Sequence, residues 1–303
     1  MEKTIVIGGS GFIGKAIQSH ASEQGLDMSF VFSYCATPKN VSDTLEKVKI
    51  DLLRRVGVEA VEGFPTAIYV AGNADHSLAR NSPSADLDLN VKMFLHFVER
   101  FRGSLVLLSS QATYYGLEGE INENVDHVST IPYGLSKQMV EAYAKYFQKI
   151  GVLHRLWIFR LMYAFGKGEK ERRLIPRCAD AVKKGGSVTV SGGGKSFVNP
   201  LPSWFVAHIL VKAVESVAQE NAGFLEVTNL NCREIVTVGD VVAFLNSVKH
   251  FDHSYSEGGE EWPVMFWGNT EKLASYLKKS RIEWPNVWEE LRRYFVELTK
   301  KVA

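Results

Sequence analysis

Residues 4–25, TIVIGGSGFIGKAIQSHASEQG, decide the fold of this 303-residue chain. A short β-branched run is followed by a glycine-rich turn and then by a segment whose apolar residues recur at helical spacing. A buried strand, a tight turn and a helix in this order are typical of the first β–α unit of a parallel sheet. The stretch therefore predicts an α/β fold.

Comparable apolar runs continue along the first half of the chain and alternate with helical patterns. The predicted strands lie at residues 4–9, 28–33, 47–50, 66–72, 104–110 and 152–160, and the predicted helices at residues 12–24, 85–101 and 133–149. Uninterrupted apolar strands separated by helices indicate βαβ units in a sheet that is buried on both faces. We predict a Rossmann-type doubly wound parallel sheet.

The glycine turn itself points to a ligand. Gly8, Gly11 and Gly14 have the spacing of a backbone that turns tightly, approaches a pyrophosphate and packs a helix against a strand. Free N–H groups at the start of the helix then face negative phosphate, with Phe12 and Ile13 in the contact. Because the triplet follows a strand and opens a helix, it predicts dinucleotide binding rather than a structural turn alone.

The end of the second strand bears on which dinucleotide binds. An acidic side chain there accepts hydrogen bonds from the adenosine ribose of NAD, whereas its absence beside a cation admits the 2′-phosphate of NADP. The segment FVFSYCATPK (residues 30–39) has no Asp or Glu, while Ser33 and Lys39 are available to a phosphate. The sequence therefore favours NADP. The alternative is NAD, and Lys39 would then be a solvated loop residue.

The third and fourth strands supply further candidate contacts. Asp51 ends the third strand and, beside Leu52, is placed to accept from the adenine amino group, although a polar residue leaving a strand needs no such role. In VAGNADH (residues 70–76), Ala71 and Gly72 follow the fourth strand. A glycine there admits the ribose and phosphates of a cofactor, but it is also common in ordinary loops.

The segment PYGLSKQMVEAYAKYF (residues 132–147) places Tyr133 and Lys137 one helical turn apart. A tyrosine with a pKa near about 10 is a poor base at neutral pH, and a neighbouring ammonium group favours its phenolate. Tyr133 would then exchange a proton with a carbinol oxygen while a nicotinamide ring exchanges hydride with its carbon. The preceding segment LLSSQATYYG offers hydroxyls for the same oxygen, at Ser109, Ser110 and Thr113. Taken alone, such a pair is usually a surface feature of a helix.

The segments GGSGFIG, VAGNA, LLSSQATYYG, PYGLSK and FRLMYAFGKG, in this order, resemble the extended short-chain dehydrogenase/reductase family, within it the NAD(P)-dependent epimerase/dehydratase group acting on nucleotide sugars. The resemblance implies that Tyr133 is the acid/base, that Lys137 binds the nicotinamide ribose and lowers the pKa of Tyr133, and that Asn90 supports the site. It also implies a homodimer formed through the helix at residues 133–149, whose apolar positions are Met139, Val140, Tyr143 and Phe147.

Some positions depart from the family pattern. Gln111 stands at the catalytic Ser/Thr position, so that Ser110 or Thr113 is left to contact the substrate oxygen. Ala112 and Thr113 stand where the family's dehydratases carry an Asp-Glu pair, which disfavours a 4,6-dehydratase. Tyr163 replaces an asparagine on the substrate side.

After residue 166 the pattern changes to a polar break, GKGEKERR, and then to helical segments near residues 172–184, 203–218, 238–248 and 285–299 with a strand at residues 224–229. We predict a dinucleotide-binding domain at residues 1–166. Residues 167–303 would form a smaller, mixed α/β part that mainly binds substrate, with some elements returning to the first domain.

Composition excludes several classes of partner. With 46% hydrophobic and 23% charged residues and a net charge of +1, the chain has the character of a soluble protein without a nucleic-acid or membrane partner. No apolar run approaches the roughly 18 residues of a membrane span. Three scattered cysteines predict a reducing, cytoplasmic setting. The histidines show no metal-ligand spacing, and HFDHSYSEGGEEW (residues 250–262) is predicted to be an exposed loop.

Three functions remain open from the sequence. The leading one is reduction of a keto group on a nucleotide-linked sugar with NADPH, because both a ribose-reading acid and the dehydratase carboxylates are missing. The second is a nucleotide-sugar 4-epimerase that holds NAD tightly. The third is a dinucleotide-binding sensor that has lost catalysis, which the departures at Gln111 and Tyr163 would favour and the intact Tyr133 and Lys137 oppose.

Overall fold

The computed structural model describes residues 3–259 and 263–300. The strands in these residues are β1 (Thr4–Ile7), β2 (Phe30–Tyr34), β3 (Glu46–Lys49), β4 (Thr66–Tyr69), β5 (Gly103–Ser110), β6 (Gly119–Ile121), β7 (Leu153–Leu161), β8 (Tyr163–Phe165), β9 (Ser187–Val190), β10 (Pro200–Pro202), β11 (Leu225–Leu230), β12 (Asp252–Tyr255) and β13 (Phe266–Gly268).

The α-helices are α1 (Phe12–Glu23), α2 (His76–Asn81), α3 (Pro83–Leu87), α4 (Met93–Val98), α5 (Pro132–Lys149), α6 (Leu174–Lys184), α7 (Ser203–Gln219), α8 (Val238–Val248), α9 (Glu271–Ser280) and α10 (Val287–Thr299). None of the helices within the described residues is long and apolar enough to cross a membrane.

The central sheet has seven parallel strands in the order β11–β7–β5–β4–β1–β2–β3. The inner strands are buried on both faces, as β1 shows: Ile5 and Ile7 pack into one core and Val6 into the other, because successive side chains alternate. The edge strand β3 is exposed or half-buried. The predicted Rossmann-type doubly wound sheet is confirmed.

The strand order reverses between β1 and β4, where the chain leaves the middle of the sheet toward opposite edges. In open sheets of this kind, ligands bind at the carboxyl ends of the strands beside such a switch point. The glycine turn after β1 and the loop after β4 meet there, and the start of α5 lies close by.

Elements after residue 166 contribute to this framework. Strand β11 pairs with β7 at the edge of the central sheet, and α7 packs against α1 on one face. Smaller parallel pairs join β8 to β10 and β9 to β12. The expected loop at residues 250–262 is therefore wrong for Asp252–Tyr255, whose backbone pairs with β9. Residues 260–262 of that expectation lie outside the described residues.

The single helix predicted at residues 85–101 is interrupted. It comprises α3, a π-helical turn at Asp88–Lys92 and α4, so that the helix takes up an extra residue. The turn contains Asn90, whose side chain is buried and hydrogen-bonded at the site described below. Hydrophobic periodicity shows the helical segment but does not reveal such a turn.

Candidate active site

The glycine turn after β1 has no room for side chains at two of its positions. Gly8 has φ +91°, and a Cβ on it would lie 2.7 Å from the backbone nitrogen of Ala71. A Cβ on Gly14 would lie 2.3 Å from the carbonyl oxygen of Gly8. These contacts let the turn, the loop after β4 and helix α1 approach each other closely.

Helix α1 begins with its first turn open to an anion. Its N-cap residue, Gly11, offers no side-chain hydrogen bond to the first N–H groups, and Phe12 and Ile13, which follow, are half-buried. The unpaired N–H groups of a helix start and the helix dipole both favour a phosphate. The residues present therefore fit the pyrophosphate of a dinucleotide.

Ser33 supports this turn from below. Its side chain is buried, and its hydroxyl accepts a hydrogen bond of 3.0 Å from the Gly8 N–H. The structure thus gives Ser33 a different partner from the predicted phosphate. Gln18 adds a second support, because its amide donates to the carbonyl oxygens of Gly9 and Asn40.

The ends of β2 and β3 form the side of the site predicted to bind adenosine. Lys39 is exposed on a short turn that follows β2, and Leu52 is buried. The Asp51 carboxylate accepts a hydrogen bond of 3.0 Å from the Arg54 backbone N–H. Burial and the nearby Asp51 charge raise the pKa of the Cys35 thiol. The sequence separates Cys35 from Asp51, and only the pairing of β2 with β3 brings them together.

The loop after β4 is braced by Asn90. Gly72 has φ +127°, and a Cβ on it would lie 2.5 Å from Asn90 Oδ1. That oxygen accepts from the Asn73 N–H at 3.0 Å, while Asn90 Nδ2 donates to Asp86 at 2.9 Å and to Ser136 at 3.0 Å. Asn90 thus ties this loop to helix α5. The buried Asp86 carboxylate was not foreseen, and the sequence offers no signal for it.

Tyr133 and Lys137 are both buried at the start of α5, with Lys137 Nζ 5.7 Å from the centre of the Tyr133 ring. Burial raises the pKa of Tyr133 to about 12, against the lowering influence of nearby Ser110 and of the Arg173 charge, and the charge of Asp86 adds to the rise. Burial likewise lowers the pKa of Lys137 to about 8, against the opposing charges of Asp86 and Glu141.

Lys137 is not among the groups that shift the Tyr133 pKa, so its predicted lowering of that pKa stays a prediction. Removal of the phenolate from water is the largest influence, and it raises the Tyr133 pKa. Lys137 instead approaches the loop after β4, where its Nζ would be 3.4 Å from a Cβ on Gly72.

The three hydroxyls offered by the sequence have different partners. Ser110 lies close enough to the Tyr133 hydroxyl to affect its pKa, and its own hydroxyl accepts a hydrogen bond of 3.1 Å from the Ala112 N–H. Thr113 is buried and donates to the Ser110 carbonyl oxygen at 3.0 Å, and Ser109 is buried and donates to Glu141 at 2.6 Å. Of the two hydroxyls predicted to hold the substrate oxygen, that of Ser110 lies near Tyr133 and that of Thr113 donates to the backbone.

Gln111, at the family's Ser/Thr position, is turned away from Tyr133. Its side chain is buried, and its Nε2 donates to Asn231 Oδ1 at 2.7 Å. Its Oε1 has no hydrogen-bond partner among the described residues. Gln111 therefore joins β5 to the segment after β11 rather than contacting the phenol.

Sequence reasoning missed a segment that crosses the site, residues 166–173, which we call the strap. Arg172 forms a 2.5 Å ion pair with Asp75, in the loop after β4. At the other end, Gly168 lies near Phe12 of the glycine turn. The strap thus lies across the carboxyl ends of the sheet strands, from the loop after β4 to the start of α1. Its basic residues were visible in the sequence, but their partners were not.

The strap is fixed to β8 by a half-buried cluster. Tyr163 donates to Glu169 at 2.6 Å, and Arg173 lies 3.2 Å from Glu169 with its guanidinium 4.0 Å from the centre of the Tyr163 ring. Tyr163, where the family pattern has asparagine, therefore anchors the strap through its hydroxyl.

A buried ion pair supports the site from beneath. Arg160 of β7 lies 2.6 Å from Glu141 of α5 and donates to the Tyr114 hydroxyl at 2.7 Å. Removing one partner of such a pair leaves an uncompensated buried charge. No group of three or more potential metal ligands occurs in the part of the chain that the structure describes.

Comparison with known proteins agrees with this geometry. The model of the NAD dependent epimerase/dehydratase family matches residues 4–246. A Methanocaldococcus jannaschii protein described as a candidate UDP-glucose 4-epimerase is 27% identical over 202 residues, which cover 63% of this chain. The same alignment covers 66% of the relative, just under two thirds of its length.

Solved structures share the fold over nearly the whole chain. UDP-glucuronic acid 4-epimerase from Bacillus cereus, in complex with UDP-glucuronic acid and NAD, has a TM-score of 0.84 at 16% identity, covering 98% of each chain. MoeE5 in complex with UDP-glucose and NAD has a TM-score of 0.83 at 20% identity, again covering 98% of each. At these identities the likeness supports the fold alone. Because the family model covers most of the sequence, the chain belongs to the NAD dependent epimerase/dehydratase family, whose members are enzymes of the short-chain dehydrogenase/reductase type.

Proposed function

We propose that this enzyme reduces a keto group on a nucleotide-linked sugar with NADPH. The observation that carries the proposal is the placement of Tyr133: a phenol buried at the start of α5, with Lys137 Nζ 5.7 Å from the centre of its ring, Ser110 nearby, and a pKa raised by burial to about 12. A protonated phenol begins the reaction as a proton donor, which is what carbonyl reduction requires. A hydroxyl beside it can hold the same substrate oxygen.

Residues on three loops and on helix α5 would hold the dinucleotide. The pyrophosphate would lie on the glycine turn (Gly8, Gly11, Phe12, Ile13, Gly14), adenine beside Asp51 and Leu52, and the nicotinamide ribose near Ala71, Gly72 and Lys137. When bound, NADPH supplies a hydride to the carbonyl carbon and leaves as NADP⁺. The closeness of Lys137 to Gly72 supports its ribose contact.

The chain's own part is proton transfer and positioning. Tyr133 would donate its proton to the carbonyl oxygen as that oxygen becomes a hydroxyl, and would regain a proton from water. Ser110 would hold the oxygen in line. Proton donation by a positioned group contributes about 10²- to 10⁴-fold to such reactions.

The preference for NADPH rests on charge near the end of β2. This strand ends without a carboxylate, and Lys39 is exposed beside it. Lys49 and Arg54 are also close enough to act on the Cys35 thiol. The Asp51 carboxylate would repel a 2′-phosphate, but three cations, Lys39, Lys49 and Arg54, lie in the same region.

A nucleotide-sugar 4-epimerase with tightly held NAD is the second candidate. The curated relative is described as acting on UDP-glucose, and the solved neighbours named above contain NAD. The strap also favours this candidate, because an ion pair across the cleft would slow release of the cofactor. In either case we propose that residues 1–166 bind the dinucleotide and residues 167–303 mainly bind the sugar nucleotide.

The two candidates are separated by identifying the bound cofactor and by assay. The dinucleotide released from the purified enzyme is identified by mass spectrometry. Turnover is then measured with NADPH and the 4-keto-6-deoxyglucose derivatives of UDP and dTDP. We expect NADPH oxidation and tighter binding of NADPH than of NADH. Bound NAD, with interconversion of UDP-glucose and UDP-galactose without added cofactor, would reject the reductase and support the epimerase.

A further inference from the structure

The His76 imidazole lies against the Tyr133 phenol. The two ring centroids are 4.5 Å apart and the ring planes are tilted by 31°. Tyr115 approaches the same imidazole edge-on, with centroids 6.0 Å apart. His76 begins helix α2, after the loop that follows β4, whereas Tyr133 comes from α5. The fold thus packs a second polar side chain, from a different element, against the Tyr133 ring.

The imidazole is free to bind a ligand. Within residues 3–259 and 263–300, neither of its nitrogens forms a hydrogen bond. Burial lowers the pKa of His76; Asp75 and Asp86 oppose this shift and Arg173 adds to it. The ring is therefore neutral at pH 7, with one nitrogen that donates and one that accepts. A sugar hydroxyl, which also donates and accepts, matches it.

Packing against Tyr133 does not by itself require a histidine. A phenylalanine would fill the same stack without unpaired nitrogens, and polar groups in partly buried sites are usually hydrogen-bonded. The neighbouring Asp75 has its own partners, since it caps α2 and pairs with Arg172. The imidazole nitrogens are therefore left for the ligand.

We propose that His76 binds the substrate directly, by a hydrogen bond to the sugar hydroxyl next to the carbon whose oxygen Tyr133 protonates. The inference rests on the proposed function, because it places the sugar at Tyr133. His76 would favour hexoses that carry this hydroxyl over their deoxy analogues. One hydrogen bond of this kind changes affinity by about tenfold or less.

The test measures how much the sugar adds to binding. Calorimetric titrations of the enzyme loaded with oxidised cofactor use UDP-glucose, dTDP-glucose and GDP-mannose, each compared with its nucleoside diphosphate alone. The ratio of the two affinities, which we call the sugar increment, is measured for wild type, His76→Phe, His76→Asn and His76→Gln. His154→Phe, at an exposed position on β7, is the matched control. Thermal unfolding and cofactor affinity verify that each variant is folded.

We expect His76→Phe to reduce the sugar increment by about three- to tenfold, with at least one of the two amide variants close to wild type. Binding of the nucleoside diphosphate alone should not change. An unchanged increment in His76→Phe would overturn the inference. So would an equal loss in all three folded variants, which would indicate a role of the ring in packing. A wild-type enzyme without any sugar increment would overturn it too.

The binding measurement is independent of turnover, so the two proposals can fail separately. An enzyme that oxidises no NADPH, but whose sugar increment falls in His76→Phe, would contradict the proposed reaction and leave this inference standing. An enzyme that oxidises NADPH, but whose sugar increment is unchanged in His76→Phe, would support the proposed reaction and contradict this inference.

Discussion

Tyr133 and Lys137 are one helical turn apart, but burial has a larger effect on their pKa values than their closeness to each other. Burial raises the pKa of Tyr133 to about 12 and lowers that of Lys137 to about 8. Each shift favours the uncharged form, as expected for groups removed from water. The spacing of the pair can be seen in the sequence, whereas its burial, which is the largest influence on both pKa values, depends on the fold.

The Lys137 pKa predicts a pH dependence of stability. Between its folded value of about 8 and its ordinary value of 10.5, the unfolded chain binds a proton that the folded chain does not. Wild-type stability should therefore rise with pH in this window relative to Lys137→Met, by about 2 kcal/mol from pH 7 to pH 10. Urea unfolding of both proteins at both pH values measures this difference. A difference independent of pH, like that expected of exposed Lys149→Met, would mean that Lys137 is not desolvated.

The neighbouring hydroxyls give a matched pair of substitutions. Ser110→Ala should reduce kcat with a keto-sugar nucleotide by about 10- to 100-fold, because it removes the hydroxyl close to Tyr133 that we propose holds the substrate oxygen. Thr113→Val should change kcat by less than about threefold, since Thr113 donates to the backbone. Steady-state kinetics and thermal unfolding of both variants are the measurements. A larger loss of kcat in a folded Thr113→Val would reverse the two roles.

Most residues proposed for the site were named from the sequence, because the glycine spacing and the Tyr–Lys spacing are local. The choice between Ser110 and Thr113 was not predictable, since it depends on the backbone turn after β5. His76 and Arg172 were also missed. Their partners are distant in sequence, and no local pattern distinguishes them from ordinary surface residues.

At the scale of elements, the strap predicts slow cofactor exchange. The ion pair between Arg172 and Asp75 is partly exposed, so it is expected to contribute only modestly to closure. Arg172→Ala should speed dissociation of the bound dinucleotide by about two- to fivefold. Stopped-flow displacement monitored by NADPH fluorescence measures that rate, with Lys170→Ala in the same strap as the control. Equal rates for both variants and wild type would show that the ion pair does not retain the cofactor.

Helix α5 presents an exposed apolar stripe made of Leu135, Met139, Tyr143, Tyr146 and Ile150. Of the residues predicted for a dimer contact, Val140 and Phe147 instead pack into the chain's own core. We still predict a homodimer, because a contiguous exposed apolar surface often marks a contact with a partner protein. Tyr143→Glu should convert a dimer into a monomer in light scattering after gel filtration. A wild-type enzyme that is monomeric at high concentration would refute the prediction.

The long elements were predictable, whereas the short ones were not. Strands β1 to β5, helix α1 and helix α5 follow strong hydrophobic periodicity, and the structure contains them within a few residues of the predicted bounds. Helix α2 has only six residues and depends on its Asp75 cap, and β12 exists because β9 lies beside it. Such elements are set by capping and tertiary pairing rather than by periodicity.

At the scale of the whole molecule, one sheet organises every proposed contact. The switch point between β1 and β4 brings the glycine turn, the loop after β4 and the start of α5 to one edge. The fold class could be predicted because buried parallel strands give uninterrupted apolar runs. The return of β11 and α7 to the central sheet was anticipated only in general terms. Which strand pairs with which depends on contacts that no local pattern contains.

The central claim is that the Tyr133 hydroxyl protonates the carbonyl oxygen of a sugar nucleotide. Its most direct test is the single-turnover rate of NADPH oxidation, followed at 340 nm after mixing the NADPH-loaded enzyme with a 4-keto-6-deoxyglucose nucleotide. The account predicts that Tyr133→Phe slows this rate by about 100-fold or more while NADPH affinity stays within about twofold. A folded Tyr133→Phe enzyme that oxidises NADPH at the wild-type rate would contradict it.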